Sequence, residues 1–373
     1  MDQRYDVVVA GAGVVGLAVA WRAAEAGLSV LVADPATSIA AGASGVAAGM
    51  LAPVTEATFG EEDLLKLNLR ASSEYPTFIE ALRSRTAKDP GYFETAAMHV
   101  AIDRDQHEAL SRLFAFQRSL GLDCDWLDAE GCLTAEPGLH HSVLAGILAP
   151  NDHSIDPRRL CEALSSAAKD AGVDFALGRA VQEVEPARRK VTIDGKNIAY
   201  GWFVAAAGCW TSSIHGLPGW AQEAVRPVKG QAIRTSPQSG TERSLGVVIR
   251  TDDVYIVPRH GGDAVIGATV EEQGFDTSTT VEGVYQLLRS AIETVPALRH
   301  HEIVETSAGL RPASRDNLPL IGACGPGNVL LATGHFRNGI LLADVTANAI
   351  VNIIETKLPD PGLEPFDPSR FEN

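Results

Sequence analysis

The sequence predicts an α/β fold: a Rossmann-like dinucleotide-binding unit and a second unit built on a mainly antiparallel sheet. Two observations predict it. Residues 5–34, YDVVVAGAGVVGLAVAWRAAEAGLSVLVAD, read as strand, glycine turn, helix and strand. Residues 225–270 then show the period-2 alternation of antiparallel strands, plainest at Val254-Tyr255-Ile256-Val257 and after the turn His260-Gly261-Gly262-Asp263. Strand patterns return near 302–308, 318–321 and 328–332, so the chain leaves the first unit and re-enters it. The expected division is 1–88, 145–218 and 308–373 for the dinucleotide unit, with 89–144 and 219–307 forming the other. An active site is expected between them.

Each N-terminal element has a mechanical reason. Residues 7–10 have the length and β-branching of a buried strand. Gly11 permits a tight turn, Gly13 lets backbone approach a pyrophosphate, and Gly16 lets helix and strand pack closely. The helix over 14–26, stopped by Gly27, turns free N–H groups and a positive dipole end toward phosphate. Asp34 ends the second strand where a carboxylate can accept from ribose hydroxyls. The small apolar residues 7–20 also resemble a secretory leader, but Arg4 between Asp2 and Asp6 gives no basic start. Further helices are expected over 62–84, 106–120, 157–171, 281–293 and 338–355, and strands over 173–177, 180–184, 190–193 and 202–206.

Composition bounds the function. The chain has 373 residues, room for two units, and a net charge of -16 that repels nucleic acid and anionic membrane. Five scattered cysteines argue for a reducing, cytoplasmic setting and against a disulfide framework. No metal site is expected, since no CxxC or HxxxH occurs and the pairs His140-His141 and His300-His301 point neighbours apart. Residues 339–354 are too broken by Asp344, Asn348 and Asn352 to span a bilayer.

Two further segments point to a cofactor, the first to backbone approaching a flat or phosphate-bearing ligand and the second to the ring carbonyl of a reduced one. Residues 42–50, GASGVAAGM, let backbone come close to it. Residues 334–339, GHFRNG, form a glycine-flanked turn before a helix, placing N–H groups where negative charge on a ring carbonyl is stabilised. Arg311, beside Pro312 in an apolar stretch, suits a carboxylate, with a structural ion pair as the competing reading.

These motifs carry a resemblance. GxGxxG with Asp34, SGVAAGML from Ser44, Ala207-Gly208-Cys209-Trp210, Pro227-Val228-Lys229-Gly230-Gln231, Tyr255-Ile256-Val257-Pro258-Arg259, Ala308-Gly309-Leu310-Arg311-Pro312 and HFRNGILLA from His335 resemble FAD-dependent oxidoreductases of the D-amino-acid oxidase type, nearest the glycine oxidase branch that serves thiamine biosynthesis. The resemblance runs in order along nearly the whole chain. It implies non-covalent FAD held by Gly11, Gly13, Val14, Val15, Gly16, Asp34, Pro35, Ala43, Ser44, Ala48, Gly49, Met50, Val181, Gly208 and Trp210. His335, Phe336, Arg337, Asn338, Gly339, Ile340 and Leu341 would wrap the flavin ring. It implies that Arg311 clamps a substrate carboxylate, Tyr255 adds a hydrogen bond and Arg337 sits at the pocket edge. His335 admits a second reading, as a base.

The implied activity is oxidation of glycine, sarcosine or D-alanine to imine and then 2-oxo acid and ammonia, with molecular oxygen leaving as hydrogen peroxide. The alternatives are a small-amine dehydrogenase passing electrons to a partner, and a flavin-bound subunit without catalysis. A homo-oligomer is left open. The sequence departs from the family at Asp34, where glutamate is usual, at Val270, where methionine is expected, and by one extra residue between Asp34 and Gly49.

Overall fold

The computed structural model describes residues 4–238 and 245–372. The predicted sheet over 225–270 is seen except at 239–244, which lie outside the described residues. Three sheets organise the chain.

The first sheet centres on the strand Arg4–Ala10, flanked in parallel by Val30–Asp34 and by the second half of Lys196–Ala205. Asp174–Leu177 extends it on one side and Val329–Thr333, also parallel, on the other. From Val7 to Ala10 the N-terminal strand is apolar without interruption because both its faces are covered there, as parallel sheets require. Val7 and Val9 face a core with Leu17 and Trp21 of the helix Val14–Glu25, Leu164 of Pro157–Asp170 and Ile350 of Ala343–Thr356. Val8 and Ala10 face the opposite core with Phe203 and Leu331. The last helix starts at Ala343 and not near 338, because residues 339–342 form turns before it.

The second sheet has eight strands, in the order His301–Ser314, Val225–Pro237, Ala264–Gly267, Tyr255–Pro258, Val248–Arg250, Ala97–Ala101, Ala145–Ala149, Asp125–Asp128. All its pairings are antiparallel except that of Val248–Arg250 with Ala97–Ala101. Period-2 alternation separates its faces. Ile233, Ile249, Ile256 and Ile266 point to a core shared with Leu287 and Ala291 of the helix Val281–Thr294. Val248, Val257 and Val265 point the other way, to Ala48 and Met50. A small sheet of Met50–Leu51, His153–Ile155 and Tyr92–Phe93 joins the layers.

The strand Ala145–Ala149, which the sequence places in the first unit, hydrogen-bonds wholly within the second sheet. Residue 308 falls inside the unbroken strand His301–Ser314. Both departures have one cause: strand partners distant in sequence set these boundaries. We propose that the division into units follow the sheets. Among the described residues no helix is long and apolar enough to cross a membrane.

Gly16 shows how tightly helix and turn meet, since a Cβ there would lie 2.0 Å from the Gly11 carbonyl oxygen. Gly16→Ala should therefore destabilise the protein by about 1–3 kcal/mol, the usual cost of overpacking, read as a lowered denaturation midpoint.

Candidate active site

A cavity of about 870 Å³ runs between the first and second sheets. At one end it is lined by the glycine turn, Asp34, Pro35 and Val181, and at the other by Tyr255, Arg311 and Arg337. Of the residues predicted at the cofactor, Gly16, Asn338 and Leu341 do not line it. Gly16 packs on Gly11, Asn338 meets Asn68, and Leu341 lies in the core. The others line one continuous wall.

The first end is built from backbone. Gly11 has φ +113°, and a Cβ there would sit 2.4 Å from the Ala206 carbonyl oxygen, so only glycine fits this turn. Asp34 accepts from the N–H of Ala12 at 2.7 Å and of Ala36 at 2.8 Å, which fixes the carboxylate across the turn. Each oxygen keeps a further lone pair for a ribose hydroxyl. Ser44 caps the helix Val14–Glu25 from outside, its Oγ accepting from the Val14 N–H at 3.0 Å.

The segment 43–50 is held by arginines that sequence reasoning missed. Arg158 Nε donates to the Gly45 carbonyl at 2.7 Å while its two Nη atoms fork onto Glu305 at 2.8 and 2.6 Å. Arg259 Nη2 donates to the Ala48 carbonyl. Burial pulls the Arg259 guanidinium down to about 10, so it stays charged at neutral pH. The Tyr255 to Arg259 motif contained this residue, but nothing local tells which carbonyl it meets.

The substrate end rests on absent side chains. Gly230, Ala232, Gly267 and Gly309 line the cavity from the second sheet. A Cβ on Gly230 would lie 2.2 Å from Arg311 Nη1, and one on Gly267 about 2.4 Å from the Tyr255 ring. The guanidinium and the phenol therefore lie flat against the sheet. Arg311 Nη1 donates to the Thr269 carbonyl at 3.1 Å and to that of Lys229 at 3.4 Å. Among the described residues no carboxylate lies within ion-pair distance of Arg311, which removes the competing structural ion pair. Burial pushes the Tyr255 hydroxyl above its ordinary value, and Arg311 draws it partly back. Tyr255 is a donor at neutral pH. Arg337 Nη2 bonds Glu61 at 2.7 Å. Val270, 70% exposed, stands at the rim.

Glu56 and Arg250 also line this end and were not foreseen, for no motif surrounds either. They bond each other at 3.2 Å. Buried Asp152 fixes the loop before Glu56, accepting from the N–H groups of Val54 at 3.2 Å and Thr55 at 2.6 Å. Desolvation pushes the Asp152 carboxyl up to about 6.

His335 is buried, and its Nε2 meets Thr346 Oγ1 at 2.9 Å. Burial lowers it to about 4, so it is neutral at pH 7.

The residues fit FAD. Backbone approaches at Gly11, a fixed Asp34 and a long cleft suit a dinucleotide, and the far end joins a guanidinium to a phenol. Fold and site together define a dinucleotide-binding oxidoreductase with a carboxylate-binding chamber. The chain belongs to the DAO family, "FAD dependent oxidoreductase", whose model matches residues 6–353. It is an FAD-dependent oxidoreductase. The glycine oxidase of Geobacillus kaustophilus is 31% identical over 99% of this chain and 98% of its own length. The crystal structure of glycine oxidase from Geobacillus kaustophilus superimposes with a TM-score of 0.91 at 30% identity, covering 99% of both chains. The bifunctional protein ThiO/ThiG of Trichormus variabilis is 34% identical over 98% of this chain, which spans only 55% of that relative's length.

His335 gives the site a pH signature. An unfolded histidine protonates near 6.5 and this one only near 4, so the native state binds fewer protons between those values. Its share of stability is complete above about pH 6.5 and falls as pH drops toward 4. His335→Gln, which does not titrate, should flatten that loss by ~3 kcal/mol between pH 7 and pH 4, read from denaturation midpoints across the range.

Proposed function

We propose that the protein is an oxidase of glycine and small amino acids, acting in the cytoplasm and supplying the thiazole branch of thiamine biosynthesis. Relatives named glycine oxidase and ThiO support the substrate class and the pathway. Five buried cysteines without disulfides support a reducing compartment. None of the five lines the cavity, which favours non-covalent FAD.

The observation that carries the reading is Arg311: a half-buried guanidinium, without a carboxylate partner among the described residues, beside a protonated phenol over a floor of glycines. Its fork binds the substrate carboxylate, and the Tyr255 hydroxyl donates a further hydrogen bond. With the carboxylate fixed at this end, the amine and α-carbon extend along the glycine floor toward the segments 43–50 and 335–340. Bound FAD supplies the two-electron acceptor for the hydride of the α-carbon. His335, neutral and engaged by Thr346, takes no proton. The imine leaves and hydrolyses to the 2-oxo acid and ammonia, while molecular oxygen takes up the electrons and departs as hydrogen peroxide.

Arg311→Ala removes one partner of a desolvated charge pair, so apparent affinity for glycine should fall by about 2–5 kcal/mol, roughly 30-fold to several thousand-fold. FAD content should stay near one per chain, and Arg311→Lys should recover only part of the loss. Titrating the flavin absorbance with glycolate checks this. Unchanged glycolate binding in the alanine variant would make Arg311 structural.

Peroxide release across a panel of amines tests the substrate class. Glycine, sarcosine and D-alanine should be turned over well and D-phenylalanine poorly, because Tyr255 and Arg311 hold the carboxylate close to the floor. Equal specificity constants for glycine and D-phenylalanine would refute the size limit. Absence of peroxide with rapid reduction of an artificial acceptor would turn the reading to a dehydrogenase.

A further inference from the structure

The three arginines at the substrate end differ in their partners. Arg311 has no carboxylate among the described residues, Arg337 has Glu61 at 2.7 Å, and Arg250 has Glu56 at 3.2 Å. Arg250 stands directly opposite Tyr255 in an antiparallel pair, so the two share the cavity face. The Arg311 head lies over Gly230 and bonds the carbonyl of Thr269, just past the strand Ala264–Gly267. Two strand spacings, ~10 Å, separate that strand from the one bearing Arg250. Arg250 would thus be a second carboxylate anchor within reach of a compact diacid if its charge were free.

Its charge is not free, and the loop is built to keep it so. Glu56 N–H bonds the Ala52 carbonyl at 3.0 Å, while Asp152 pins Val54 and Thr55, and Gln117 Nε2 holds the Val54 carbonyl at 2.8 Å. Asp252 and Asp253 follow Arg250 on an exposed turn and also line the cavity, but Asp252 is engaged by His99 at 3.2 Å, and the carboxylate that bonds Arg250 is that of Glu56. Among the described residues, Glu56 is the carboxylate in ion-pair contact with Arg250.

We propose that Glu56 is a specificity-determining residue: by neutralising Arg250 it removes a second carboxylate anchor and confines the enzyme to substrates with one carboxylate. This rests on Arg311 as the first anchor, as argued under the proposed function.

Two ratios test it in the FAD-loaded enzyme. The first is the affinity for malonate over acetate, from the flavin absorbance change, and the second is turnover of iminodiacetate over glycine. Glu56→Gln should raise both by about tenfold or more, as one charge-assisted hydrogen bond is gained. Glu56→Gln with Arg250→Met should return both to the parent values. Where Glu56→Gln does not retain FAD, Glu56→Thr serves the same comparison. Ratios that do not move, or a gain that survives loss of Arg250, overturn the proposal. A parent that fails to oxidise glycine, with a malonate ratio that still rises in Glu56→Gln, sinks the proposed function and leaves this inference standing.

Discussion

Close approach of backbone to a flat ligand is the constraint on which the rest of this structure depends. The cavity walls are thin where the ligand must lie, and they are thin because side chains are missing. Gly11 meets the Ala206 carbonyl with no room for a Cβ, and Gly230 and Gly267 leave the space that Arg311 and Tyr255 occupy. Gly309 does the same for the segment 43–50, since a Cβ there would lie 3.0 Å from Val46. The guanidinium and the phenol of the substrate end are the polar groups set against these bare surfaces.

Bare backbone cannot hold its own position, so the burden moves to charged side chains outside the cavity. Arg158 and Arg259 grip the carbonyls of Gly45 and Ala48 from the far side, and Glu305 of the second sheet completes the grip on Arg158. Buried guanidiniums are costly unless hydrogen-bonded. Arg259, whose side chain is buried, meets that cost with the Ala48 carbonyl, while the half-exposed Arg158 combines the Gly45 carbonyl with its fork onto Glu305. The same logic governs Asp152, whose raised pKa is the mark of a carboxylate kept in the interior to fix the loop of Glu56.

The site also separates its charges by role. Among the described residues Arg311 meets carbonyls and the Tyr255 hydroxyl but no carboxylate, while Arg250 and Arg337 are each matched to a glutamate of the segment between the small sheet and the helix Glu62–Arg83. A chain of net charge -16 thereby presents, among the described arginines of the cavity, a guanidinium without a carboxylate partner to an incoming carboxylate. Long-range repulsion matters little against a desolvated contact at that one position.

Local sequence was enough for the first strand, turn, helix and Asp34, because each depends on neighbours within about thirty residues and on hydrogen bonds that glycine and helix geometry dictate. It was enough for the long helices, whose apolar periodicity is local, and for the identity of most cavity-lining residues, which the motifs carry. It did not reveal the short strands Ala97–Ala101, Asp125–Asp128 and Ala145–Ala149, since their partners lie far along the chain. Nor did it show that Asn338 and Leu341 turn away from the cavity while their neighbours face it, because a turn before a helix alternates direction with no fixed period. Tertiary structure alone decided the pairing of Glu56 with Arg250, 194 positions apart, and the absence of any such partner for Arg311 among the described residues. Ion pairs form through space, and no spacing along the chain encodes which acid a guanidinium will meet.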